Sequence, residues 1–113
     1  MNWGKVTYVF FALMSLTTIA GFIYEANGVA LFIAASVNLI STLLKVGVRN
    51  SFSAELFASS LVADLHLIPA FIIMQIEPSN MALVKSLTIS AMLANIFALT
   101  ILVVESAKSR EEF

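Results

Sequence analysis

The chain of 113 residues contains no cysteine, one histidine, two prolines and four glycines, and only 12% of its residues are charged. The missing cysteine excludes disulfides, thiolate metal ligands and a cysteine nucleophile. A single histidine rules out any helical H-E-x-x-H zinc motif, and neither a Walker nor a dinucleotide-type glycine pattern is present. No nucleophile–base arrangement is visible, so no enzyme, no catalytic residue, no cofactor and no metal site is expected. Six Lys and Arg against seven Asp and Glu give a net charge of −1, without the basic stripe that nucleic acid requires.

What fills the chain instead is apolar: 60% of the residues are hydrophobic, and the mean hydropathy is +0.98. A soluble domain is about 45–50% apolar and about 25% charged. A chain this short buries only roughly 60–70% of its surface on folding, so the excess must face lipid or other subunits. A single domain over residues 1–113 is expected, with the lipid bilayer as its first partner.

A hydrocarbon core of about 30 Å needs roughly 20 apolar residues in a helix. Four stretches qualify, at about residues 6–24, 29–44, 54–76 and 81–104. The second is short, and Lys45 could extend it by snorkelling. None shows the alternation of barrel strands, so the fold class is an all-α, four-transmembrane-helix bundle. A signal peptide is the alternative for residues 1–24, but that apolar run is long and no clear A-x-A site follows it.

The breaks are chemically distinct. Glu25-Ala26-Asn27-Gly28 reads as a turn in which Asn-Gly supplies tolerance for positive φ. In Glu77-Pro78-Ser79-Asn80, the proline ends one helix and Ser79 or Asn80 caps the next. The middle connection, residues 46–53, ends on Ser53 as a candidate cap, with Glu55 in the first turn beyond. Around the two acidic turns Glu, Ala and Leu recur in register (Glu25, Ala30, Leu31 and Glu77, Ala82, Leu83), as two related hairpins or two similar turns would give.

Lys5, Lys45, Arg49, Lys108 and Arg110 lie at one set of ends, and Lys85 alone lies near the other. Cytoplasmic loops carry the excess of basic residues, so an N-in, C-in, multi-pass topology in a bacterial inner membrane is expected. Trp3 and Tyr24 fall at interfacial depths.

The third span holds the unusual feature: Asp64 and His66 at its centre, followed by Pro69. An acidic residue at mid-bilayer costs about 2.5–3.5 kcal/mol even on the lenient insertion scale, which makes it a functional candidate by default. Pro69 cannot bond to the carbonyl of Leu65, so a kink or a free acceptor is expected there. Two residues apart means about 200° of rotation, so Asp64 and His66 point to nearly opposite sides of the helix. Either one faces the bundle interior and the other a neighbouring subunit, or each meets partners from other spans.

Polar residues at similar depth are Ser15, Thr17 and Thr18 in the first span, Asn38, Ser41 and Thr42 in the second, and Ser90 and Asn95 in the fourth. Asp64, His66, Asn38, Thr17, Thr18 and Asn95 therefore form the candidate ion pathway, with Glu25 and Glu77 at its outer mouth. The competing reading is interhelical hydrogen bonding that fixes packing, with Glu25 and Glu77 as solvated turn residues. Small residues at Ala30 and Ala34, Ala54 and Ala58, Ser59 and Ala63, and Ala91, Ala94 and Ala98 mark helix-contact faces. Four short helices enclose little space, so a pore would lie between copies of a homo-oligomer.

Taken whole, the chain resembles a small family of uncharacterised bacterial inner-membrane proteins. Locally, Thr17-Thr18-Ile19-Ala20-Gly21-Phe22 is similar to the Thr-Ala-Gly-Phe filter loop of Trk/Ktr potassium transporters. That resemblance implies potassium coordination by carbonyls around Gly21, or a role as a subunit of such a transporter; a packing glycine is the alternative. Two functions follow: an oligomeric cation or proton channel or transporter, or a non-transporting accessory or scaffolding subunit of a larger transport complex.

Overall fold

A computed structural model describes residues 3–46 and 53–108, which hold four helices. These are α1 (Trp3–Tyr24), α2 (Gly28–Lys45), α3 (Ser53–Ile76) and α4 (Met81–Lys108). Each matches an expected span to within a few residues and is long and apolar enough to cross a membrane. The helices pack side by side as α1–α2, α2–α3, α3–α4 and α4–α1, and among the described residues no backbones approach closely across a diagonal. The result is a square, up-down-up-down bundle measuring 49 × 22 × 21 Å. Its long axis exceeds the roughly 30 Å of a hydrocarbon core.

The outside of the bundle is apolar, as spans long enough to cross a membrane would be. Leu43, Leu65 and Ile76 are each at least 70% exposed. Inside, Ala34, Ala63, Ala70 and Ala91 are fully buried. Their small side chains let the backbones approach and pack around Ile19, Phe22, Leu31, Leu67 and Val84. Ala54 and Ala58, although spaced for contact, are exposed. A second, smaller cluster gathers Tyr8, Leu56, Ala98 and Leu102 nearer the other end.

The first turn differs from the sequence expectation. Asn27 adopts φ −144° and ψ 162°, an extended conformation, and its side-chain oxygen accepts from the Ala30 amide at 2.8 Å. A helix start leaves four N–H groups without partners, and that demand decides how the asparagine is used. Asn27 is an N-cap, and Gly28 begins α2. At the second turn, the Asn80 carbonyl accepts from Val84 N at 3.3 Å, but its side chain reaches back to Glu77 at 3.5 Å and does not cap. α3 continues unbroken through Pro69, so Leu65 lacks the amide donor that residue 69 would normally supply. Arg49, Arg110 and the side chains of Ser53 and Lys108 lie outside the described set.

Asn27→Ala should lower stability by about 1 kcal/mol, the usual cost of losing a side-chain cap. Asn27→Asp should restore most of it. Unfolding of the detergent-solubilised protein by SDS measures both.

Candidate functional site

The site is built from the inward stripe of α2. Leu31, Ala34, Asn38, Ser41 and Lys45 recur every three or four residues and so share one face, all buried. The first two are apolar and the last three polar. The stripe changes character halfway along the helix.

Asn38 joins all four helices. Its amide nitrogen donates to Asp64 Oδ1 on α3. Its carbonyl oxygen accepts from Ser15 Oγ on α1 and, at 3.0 Å, from Asn95 Nδ2 on α4. Asn95 Nδ2 also donates to Ser15 Oγ at 3.0 Å. One helical turn along α2, the Thr42 hydroxyl lies 2.7 Å from Asp64 Oδ2 and 2.9 Å from the Asn38 carbonyl of its own helix, and its one proton is donated towards both. Asp64 is 6% exposed, and each of its carboxyl oxygens has a donor. A buried polar group is tolerated when its lone pairs are met in this way.

Lys45 completes the arrangement, and it was missed in the sequence as a site residue. The expected snorkelling does not occur: Lys45 is 5% exposed and folds inward. Its Nζ donates to Ser41 Oγ at 2.8 Å and lies 5.2 Å from the centre of the Tyr8 ring. That distance suits a cation–π contact, so a ring face and a hydroxyl receive the ammonium inside the bundle. A pocket beside Lys45 is walled by Tyr8, Ala12, Ser41, Asn95 and Ala98 together with Leu56, Leu99 and Leu102. It has room for about one water.

Of the sequence candidates, Asp64, Asn38 and Asn95 meet, together with Ser15 and Thr42. Thr17 and Thr18 do not join them. Their hydroxyls bond to the Met14 carbonyl of their own helix, at 3.2 and 2.7 Å. His66 is half-buried on another side of α3, its Nδ1 2.7 Å from the Val62 carbonyl. Ser90 likewise bonds back to Ser86. Glu25 and Glu77 are exposed at the end away from Lys45. Among the described residues no three His, Cys, Asp or Glu side chains group as metal ligands.

The filter-loop resemblance is not sustained. Residues 17–22 are the last turns of continuous α1, and the Gly21 carbonyl accepts from the Glu25 amide at 2.9 Å. A carbonyl engaged in a helix is not turned towards an ion. Nor does Gly21 serve as a packing glycine within the chain, since a side chain there would meet nothing within 4 Å.

Lys45 was legible in principle. The spacing Asn38, Ser41, Lys45 continues the stripe of Leu31 and Ala34, and that periodicity outranks position at a helix end as a guide to burial.

One family model matches, that of a family of unknown function (DUF6394), over residues 25–106. The match contains Asn38, Thr42, Lys45, Asp64 and Asn95, and leaves Tyr8, Ser15 and residues 17–22 outside. No curated protein and no solved structure matches the chain.

Asn38→Ala should cost about 1–3 kcal/mol, because it strands Asp64 Oδ1 and loosens Ser15 and Asn95 together. That exceeds the average of about 0.6 kcal/mol for interhelical hydrogen bonds in membranes. His66→Ala should stay within about 0.5 kcal/mol of the parent, as surface changes do. Equilibrium unfolding in mixed micelles compares the two.

Proposed function

The chain belongs to the DUF6394 family, a family of unknown function, and from the geometry of its interior we propose that it is a small multi-pass membrane transporter that binds and releases a proton or small cation at Asp64. One observation carries this reading: an ionisable carboxyl lies at the centre of the bundle, turned inward, and its hydrogen-bonded network reaches, through Asn95, the wall of the pocket that holds a buried ammonium. Such groups are expensive in a membrane, and they recur where ions and protons are handled.

The proton is the better fit of the two. A hydrated metal cation needs several oxygen ligands and more volume than a pocket for about one water supplies. The carboxyl oxygens already hold Asn38 and Thr42, and a proton adds to them without needing the further oxygen ligands that a metal ion requires. Asp64 faces its own bundle, so the working site belongs to one chain. His66, half-exposed on another side of α3, is the polar residue that a neighbouring copy would meet in a homo-oligomer.

The proposed topology places the Lys45 end in the cytoplasm, with both termini, in a bacterial inner membrane. Lys5, Lys45, Arg49, Lys108 and Arg110 lie towards that end of the sequence map, against Lys85 at the other. A second reading, that of an accessory subunit without transport of its own, is favoured by the completeness of the hydrogen bonding around Asn38. A satisfied network can serve as an interhelical lock alone.

Purified protein in liposomes with an entrapped pH-sensitive dye should pass protons down a pH gradient. Asp64→Asn should abolish that flux, and His66→Ala should retain it. Flux unchanged by Asp64→Asn contradicts the reading. Silent wild-type liposomes, with a stoichiometric membrane partner retained in mild detergent, would favour the accessory role.

A further inference from the structure

The buried interior is divided by depth. From the Asp64 level towards the Glu25 and Glu77 end it is filled by Ile19, Phe22, Leu31, Leu67 and Val84, all fully buried. Thr88 is the sole buried polar side chain in that half among the described residues. Its hydroxyl is turned onto the Lys85 carbonyl of its own helix at 2.9 Å. Towards the other end the interior is mixed: Ser41, Thr42, Lys45, Ser59, Ser60 and Glu105 are buried there beside the apolar Tyr8, Leu56, Ala98 and Leu102.

That half holds unused hydrogen-bonding capacity. Ser60 is 1% exposed, one turn along α3 from Asp64, and its Oγ has no partner among the described residues. The Lys45 ammonium has three N–H donors and, among the described residues, meets one acceptor, Ser41 Oγ, and the Tyr8 ring. Buried polar groups left in this condition are met by water when there is room for it. The pocket beside Lys45 supplies the room, and its wall includes Asn95, a member of the Asp64 network. The apolar half offers water no comparable partners. Close-packed apolar interiors stay dry.

We infer that the Asp64 site is served from one side only: water and protons reach it from the Lys45 end through the pocket at Tyr8 and Lys45, and the apolar half beyond Asp64 is a seal. The identity of the ligand rests on the proposed function, whereas the sidedness rests on where the buried polar and apolar residues lie. A single chain in this conformation is therefore a one-ended path. Transport through it requires the apolar half to open, and a chain that never opens it exchanges protons with one compartment alone.

The absence of cysteine makes the test direct. Single-cysteine variants Ala12→Cys and Ala98→Cys place a thiol in the pocket wall, and Ala34→Cys and Ala70→Cys place one in the seal. Tyr24→Cys, fully outside the core, reports the opposite end. Proteoliposomes sorted for orientation are treated from one side with silver ion or with an anionic methanethiosulfonate, the second probe covering repulsion of silver by Lys45. Protected thiols are then counted by maleimide labelling after denaturation.

Ala12→Cys and Ala98→Cys should be protected from the Lys45 side and not from the Tyr24 side, and Ala34→Cys and Ala70→Cys from neither. Protection of any of these four from the Tyr24 side overturns the inference. So does failure of both pocket thiols to react from the Lys45 side. Should one pocket variant not fold, the other decides. Because this assay reads access and not ion binding, absent proton flux with one-sided protection rejects the proposed function and leaves the sidedness standing.

Discussion

Asp64 cannot be placed inside an apolar bundle unless both of its oxygens find donors, and that demand organises the rest of the structure. The donors come from α2, through Asn38 and Thr42. This fixes the axial position of α2 against α3. Asn38 in turn needs donors for its own carbonyl, and Ser15 and Asn95 supply them from α1 and α4. One carboxyl thereby sets the register of four helices that apolar packing alone would leave free to slide, since lipid is as apolar as leucine.

The antiparallel arrangement turns four unremarkable polar distributions into one asymmetric interior. In α3 the buried polar residues Ser59, Ser60 and Asp64 lie in the first half; in α2 Asn38, Ser41, Thr42 and Lys45 lie in the second, and Ser15 of α1 and Asn95 of α4 lie close to the middle of their helices. Up-down packing superposes these halves, so polar residues collect at the Lys45 end and Ile19, Phe22, Leu31, Leu67 and Val84 collect at the other. α2 carries this asymmetry along its own stripe, and α3, running the other way, extends it. A charge inside the polar half has hydroxyls, amides and a ring face around it; the apolar half offers it none of these. In the proposed function that difference decides which side supplies the proton.

The fold was readable because span length and apolar content are strong local signals, and all four helices fall where hydropathy put them. Asp64 was readable for the same reason, as a costly group in an apolar run. The layer around it was only half legible. Ser15, Asn38, Thr42 and Asn95 were at the right depth, but so were Thr17, Thr18 and Ser90, and depth does not tell which face of a helix turns inward. Hydroxyl residues satisfy themselves on their own helix's carbonyls, as Thr17, Thr18 and Ser90 do, so they carry little information about direction. Lys45 was misread because position at a helix end suggested snorkelling, whereas the stripe from Leu31 through Asn38 and Ser41 placed it inside. Asn27 was misread because Asn-Gly signals a turn as readily as a cap, and the unsatisfied amides of α2 settled the choice.

The central claim is that Asp64 exchanges a proton and is not a fixed strut. Infrared difference spectroscopy of the protein in bilayers, recorded as the bath pH is stepped, observes this at the carboxyl itself. The account predicts a carboxylic-acid carbonyl band that rises and falls with pH and vanishes in Asp64→Asn, while the amide bands of the helices stay constant. A carboxyl spectrum that does not respond to pH, or a response identical in Asp64→Asn, would contradict it.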